Sequence, residues 1–374
     1  SLYKQLLKHI KDNWFLHYNF GLLLFETDQY SAALSHYMQA AAFEKTSNDL
    51  YYNMALCQKR FGLLESAVIS YKKAIRLEPD DTECRYNLAN CFLALDRPND
   101  AIVEFTAVLE HDPVHQSALN NLAYSYHREG VMDQAIYYYE KLLELNPNHC
   151  AADHMVASLT GQQRSSAPLS YVQDVFDNYS NHYEDSLLHK LHYTLPQQLH
   201  SLISHSSGKD SFSRTIDIGC GTGLFGAVLR GATQILDGID LSPRMIEIAE
   251  HKSHYDNLIT GDINAMAGTL EKDSYDLLVA ADVLTYIGDL LSTFQAVYSL
   301  ARSGGYFFFS VENLDEPCGD LVLRKSGRFA HSQSYVERVA LQTGWQTVEF
   351  QTIDLRKERE NWIQGIICGL QKIT

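Results

Sequence analysis

Long apolar runs, paired cysteines and positive charge are all scarce in this chain of 374 residues. Hydrophobic residues make up 45% of it, yet no stretch approaches the roughly 20 apolar residues that a membrane-crossing helix needs, which argues against a membrane partner. Seven cysteines, at 57, 84, 91, 150, 220, 318 and 368, form no CxxC pair and no disulfide-like cadence. Reduced thiols and a cytoplasmic location are the expectation. Lys and Arg number 30 against 46 Asp and Glu, a net charge of −16. The deficit is shared, with 13 basic against 20 acidic residues in 1–163 and 17 against 26 in the rest. Neither part offers the basic footprint of a nucleic-acid binder. Lys325 with Arg328, and Arg356 with Lys357 and Arg359, are local exceptions, and the second group reads as a solvated charged loop. The chain opens at Ser1 without a charged, apolar, small-residue leader, so no secretion signal is expected.

What is present is a repeat. Ala55, Ala89 and Ala123 are spaced by 34 residues, as are Ala67, Ala101 and Ala135, then Tyr71, Phe105 and Tyr139, then Pro79, Pro113 and Pro147. Small residues recur where two helices cross closely, a ring fills the gap, and proline ends the second helix. An earlier copy carries Trp14, Gly21, Ala33, Tyr37 and Ala40, with Lys45 in place of its proline. This spacing resembles the tetratricopeptide repeat. The resemblance implies stacked helical hairpins over 1–163, closed by a polar-faced capping helix at Cys150 to Gly161, with a groove for a protein or peptide partner.

Gly161 to Pro168 is polar and ends in proline, which places a linker at 164–170 and a second domain at 171–374. The segment from Ser170 to Glu184, including Asn181 and His182, has helical apolar spacing. Phe176, Tyr179 and Tyr183 lie on it, and two readings are open for them, a cover for a ligand and plain core.

Alternating strand and helix patterns follow, with strands expected near 214–218, 235–240, 257–260, 276–281, 306–311, 346–353 and 363–370. The first runs into Asp217-Ile218-Gly219-Cys220-Gly221-Thr222-Gly223, where three glycines permit a sharp strand-to-helix turn and close approach of a ligand. Two nucleotide readings are open here. Gly221-Thr222-Gly223-Leu224-Phe225-Gly226 satisfies the dinucleotide fingerprint, with Asp240 at a suitable distance, and an NAD-dependent oxidoreductase would follow. The rival uses Asp217 and the acids Asp240, Asp262 and Asp282, all at strand C-terminal ends, the edge where open parallel sheets bind ligands.

In that order the parts resemble the class I S-adenosylmethionine-dependent methyltransferases, and with the repeats they resemble bacterial predicted methyltransferases that carry tetratricopeptide repeats. The implied fold is a Rossmann-like, mostly parallel seven-stranded sheet whose last strand is antiparallel. The implied cofactor is S-adenosyl-L-methionine, with backbone at Gly219, Cys220, Gly221 and Gly223 against its methionine and ribose, and Asp217 on its ammonium. Asp240 would take the ribose hydroxyls, Leu241 and Met245 flank the purine, and Asp262 with Ile263 reads the adenine. Tyr179 and Tyr183 would close over the methionine end, and Ala281 ends the strand that faces the methyl group. Asp282, Tyr286, Arg328 and His331 are the acceptor-side candidates. There Arg328 would suit a carboxylate or phosphate, and His331 would take a proton near neutral pH. No metal is expected. The acceptor, a small or carrier-bound molecule, is not legible, and a non-catalytic scaffold that senses cofactor is the alternative.

Overall fold

The computed structural model describes residues 2–10, 12–180, 183–185, 187–188, 191–315, 318–358 and 361–373. Ser1, Asn181, His182 and Arg359, named above, lie outside the described residues. Two compact units divide the chain, Ser1–Asp153 and His154–Thr374.

The first unit is helical. After Leu2–His9 come four antiparallel pairs: Trp14–Glu26 with Tyr30–Phe43, Asn48–Arg60 with Leu64–Leu77, Thr82–Ala94 with Pro98–His111, and Gln116–Glu129 with Met132–Leu145. The alanines of the 34-residue pattern, Ala55, Ala89, Ala123, Ala67, Ala101 and Ala135, are all at 0% exposure, as the crossing of two backbones requires. The N-caps share the period. Asn13, Ser47, Asp81 and His115 each accept from the backbone N–H three residues on, at 2.9–3.2 Å. Neighbouring copies are tied in the same way, with Asn53 Nδ2 donating to Tyr18 Oη at 3.2 Å and Asn87 Nδ2 to Tyr52 Oη at 3.4 Å.

The division falls earlier than the expected 163, within the helix Cys150–Thr160. From His154 onward this helix is not a polar-faced cap. His154 Nε2 donates to the Gly327 carbonyl at 2.8 Å, Ser158 Oγ to the Arg324 carbonyl at 2.7 Å, and Ala157 packs with Phe329. Residues 164–170 are likewise no free linker, since Ala167 N donates to Tyr286 O at 2.9 Å and Ser166 bridges Ile287.

The second unit holds nine strands among the described residues: β1 Phe212–Ile218, β2 Thr233–Asp240, β3 Asn257–Thr260, β4 Tyr275–Ala280, β5 Ala301–Asn313, β6 Leu321–Leu323, β7 Phe329–His331, β8 Trp345–Glu358 and β9 Asn361–Lys372. β3, β2, β1, β4 and β5 lie parallel in that order, β9 runs antiparallel to β5, and β8 pairs with β9. These seven are the expected strands. The two unforeseen ones, β6 and β7, form a short hairpin whose β7 pairs with the end of β5 at Glu312 and Asn313. β4 is buried along its whole length, as an inner strand covered by helices on both faces must be. The chain order doubles back at β1, between β2 and β4, so a crevice opens at the carboxyl ends there.

Candidate active site

The glycine loop follows from its backbone. Gly219, Gly221 and Gly223 have φ of 67°, 53° and 89°, a region that side chains with a Cβ rarely adopt. A Cβ at Gly219 would also overlap the Val283 side chain. The loop is anchored across β2, where the Ile239 carbonyl accepts from the N–H groups of Gly219 at 2.7 Å and Cys220 at 3.1 Å. Asp240 grips it from the same strand. Its Oδ2 accepts from Gly221 N and its Oδ1 from Ser242 N, both at 2.8 Å. Burial pushes its carboxyl up to about 6, against the pull of those two N–H groups.

A cavity of about 480 Å³ opens at this edge, within the size range of small-molecule sites. Gly219, Gly221, Asp240, Leu241, Asp262, Ile263, Ala281, Asp282, Tyr286 and Tyr183 line it, so ten of the expected residues meet there. Its apolar wall comes from the helix Leu169–Tyr179, through Leu169, Val172 and Phe176. That helix is clasped, because Ser242 Oγ donates to Asp177 Oδ1 and Arg244 Nη1 to the Asp177 carbonyl. Glu184, beside Tyr183, is held by Thr222 Oγ1 and Lys252 Nζ.

Other expected residues lie elsewhere. Asp217 is 1% exposed and does not line the cavity; it receives the Tyr255 hydroxyl, and burial pushes its carboxyl up to about 7. Cys220 and Met245 are buried beneath the loop and the following helix, and Gly223 is an N-cap rather than a wall. Tyr179 stands outside the lining, edge-on to Tyr183 at 5.9 Å. His331 is wholly buried, with Nε2 donating to the Gly288 carbonyl at 2.9 Å. Burial drops its imidazole to about 4, which removes it as a proton acceptor near neutral pH. Arg328 is also out of the lining; its guanidinium is paired with Glu358, and its Nε donates to Tyr286 Oη at 3.3 Å.

Arg356 reverses its sequence reading. Instead of a solvated loop, it is 1% exposed on β8 and bonded to Asp282, Glu312 and Glu358. Strand alternation gives no cue to this, since Ile353 and Leu355 are buried in the opposite phase and a register shift between Asp354 and Arg356 turns the arginine inward. Asp289, Ser165 and Ser166 line the cavity and carried no sequence signal, because each reaches it from a loop, and the same holds for Tyr255, which supports the glycine loop from beneath.

A parallel sheet with an antiparallel last strand, a glycine loop after β1 and a carboxylate after β2 define a Rossmann-like domain of the class I methyltransferase type. A family model described as a methyltransferase domain matches residues 209–355, and tetratricopeptide models match 49–81 and 86–149. The chain therefore carries a methyltransferase domain preceded by tetratricopeptide repeats. Among similar proteins, a ubiquinone biosynthesis O-methyltransferase of Burkholderia vietnamiensis is 32% identical over 114 residues, which is 29% of this chain and 47% of that protein. One from Bordetella bronchiseptica is 29% identical over 141 residues, 35% of this chain and 58% of that protein. The chain thus spans about half the length of these relatives. A magnesium protoporphyrin IX methyltransferase from Synechocystis, solved with bound S-adenosylmethionine, has a TM-score of 0.42 at 15% identity, covering 56% of this chain and 100% of that one. Among the described residues, no helix is long and apolar enough to cross a membrane.

Proposed function

We propose that this chain is an S-adenosylmethionine-dependent methyltransferase whose repeat unit binds a protein partner or holds a carrier-bound acceptor. The observation that carries the reading is the grip of Asp240 on Gly221. Each carboxylate oxygen takes one backbone N–H and keeps lone pairs for two vicinal hydroxyls. The cradle fits the cofactor, since Gly221 faces the cavity with only the Tyr183 ring near, at 3.7 Å from where a Cβ would stand. Gly219, Gly221, Asp240, Leu241, Asp262 and Ile263 would hold it, and Tyr183 would cover it. When bound, the cofactor supplies a sulfonium methyl group for in-line displacement, and the protein orients the acceptor and excludes water. The names of the relatives specify oxygen acceptors, which makes a hydroxyl the first acceptor to test here. Calorimetric titration of the full chain with S-adenosylmethionine is expected to show binding that Asp240→Ala abolishes. Binding of NAD in its place would overturn the reading.

A further inference from the structure

The charged side chains behind the cavity form one connected lattice. Arg356 Nη1 donates to Asp282 Oδ1 at 2.7 Å, its Nη2 to Glu312 on β5, and its Nε to Glu358 Oε1 at 3.3 Å. Glu358 also receives Arg328, whose Nε donates to Tyr286 Oη, and Glu312 receives Arg324 Nη1 at 3.0 Å. Three guanidiniums meet three carboxylates, and the lattice ends on the two groups that face the cavity, Asp282 and Tyr286. Burying such pairs does little for stability against an apolar alternative, so another reason for them is needed. Asp282 points to one. Its φ is 59° and its N–H is held by Ser310 Oγ at 2.9 Å, so backbone and carboxylate are both constrained. Among the described residues, its second oxygen has no protein partner.

We propose that Arg356 is a positioning residue. By fastening Asp282 Oδ1, it leaves Oδ2 to the cavity as the base for a neutral acceptor bearing O–H or N–H. This rests on the methyltransferase reading above. The acceptor's lone pair forms the bond to the methyl carbon as the carbon–sulfur bond breaks, its electron pair stays on sulfur, and the acceptor's proton passes to Asp282 Oδ2. Arg328 serves Tyr286 in the same way, and with its charge committed to Glu358 it is not a receptor for a substrate carboxylate or phosphate.

The test needs no known acceptor. Sinefungin carries a primary amine where the transferable methyl group would be, so its ammonium probes that oxygen, whereas S-adenosylhomocysteine has nothing there. In calorimetry on the full chain, sinefungin is expected to bind about tenfold tighter, as one charge-assisted hydrogen bond allows. Asp282→Asn, isosteric and tolerant of positive φ, should erase that preference. Arg356→Lys should cut it about threefold or more while S-adenosylhomocysteine binds as before, because an ammonium lacks the planar fork. An unchanged preference in Arg356→Lys, or equal weakening of both ligands, would overturn the positioning role. Should Arg356→Lys not fold, a preference that survives in Asp282→Asn overturns it equally. Equal affinity of wild type for sinefungin and S-adenosylhomocysteine sinks this proposal alone, whereas binding of neither ligand sinks the methyltransferase reading as well.

Discussion

Tyr255 Oη donates to Asp217 Oδ2 at 2.7 Å, with Asp217 buried and Tyr255 half-buried beneath the glycine loop. The ring of Tyr255 also fills the space that Gly226 and Gly238 leave open. The acid of the loop motif is therefore tied to the domain's interior.

Tyr255→Phe keeps the ring and removes the donor. With burial already holding Asp217 up to about 7, and this hydrogen bond opposing it, its loss should raise that carboxyl further. At pH 8, where the wild-type carboxylate is ionised, urea unfolding should show a loss of about 1–3 kcal/mol, the cost of a buried charge left unsatisfied. At pH 5, with Asp217 protonated, the loss should be smaller.

At Gly226 a Cβ would overlap the Tyr255 ring, whereas at Gly231 nothing lies within 4 Å. Gly226→Ala should therefore destabilise by about 1–3 kcal/mol through overpacking. Gly231→Ala should stay within about 0.5 kcal/mol, as substitutions in open surroundings usually do. Thermal unfolding of the pair checks both.

Cofactor affinity should depend on pH through Asp240. Its carboxyl stands at about 6, so below that value it carries a proton, loses acceptor capacity, and the Kd for S-adenosylmethionine rises as pH falls. Above it the Kd levels off. Calorimetry from pH 5 to 8 reads this directly, and Asp240→Asn should bind weakly with no such dependence.

His331 is expected to act on stability. Its folded value, about 4, lies below the ordinary 6.5, so its contribution is present above pH 6.5 and is lost as pH falls toward 4. His331→Gln, which can still donate to the Gly288 carbonyl, should flatten that part of the stability curve relative to wild type in urea titrations.

In the repeat unit, Ala101 is at 0% exposure and Val103 at 65%. Ala101→Leu should cost about 1–3 kcal/mol because the helices cannot part without losing contact, and Val103→Ala should stay within about 0.5 kcal/mol. Denaturant titration followed by helical circular dichroism distinguishes the two.

Repeats and strands were legible because each rests on local periodicity. The alanines at 55, 89 and 123 mark helix crossings whatever surrounds them, and the run Tyr275 to Ala280 reads as a buried strand because every residue but Asp276 is apolar. The acids Asp240, Asp262 and Asp282 were legible as a group because strand ends are countable. Which of the neighbouring residues face the cavity was not legible. Met245 and Leu241 are four positions apart, yet one lies at 0% exposure under its helix and the other lines the cavity.

A 34-residue helical period, a glycine turn after a strand and a carboxylate at the end of each of several strands are written in the order of the amino acids. These depend on backbone sterics and on spacing within a few residues. The burial of Arg356 against Asp282, the place of His331 in the core and the pairing of Asp217 with Tyr255 arise from the folded chain. Those partners are 74 and 38 residues apart along the chain for the first and last of these pairs. The energy of a charge or an imidazole depends on what folding brings beside it, which no local pattern encodes.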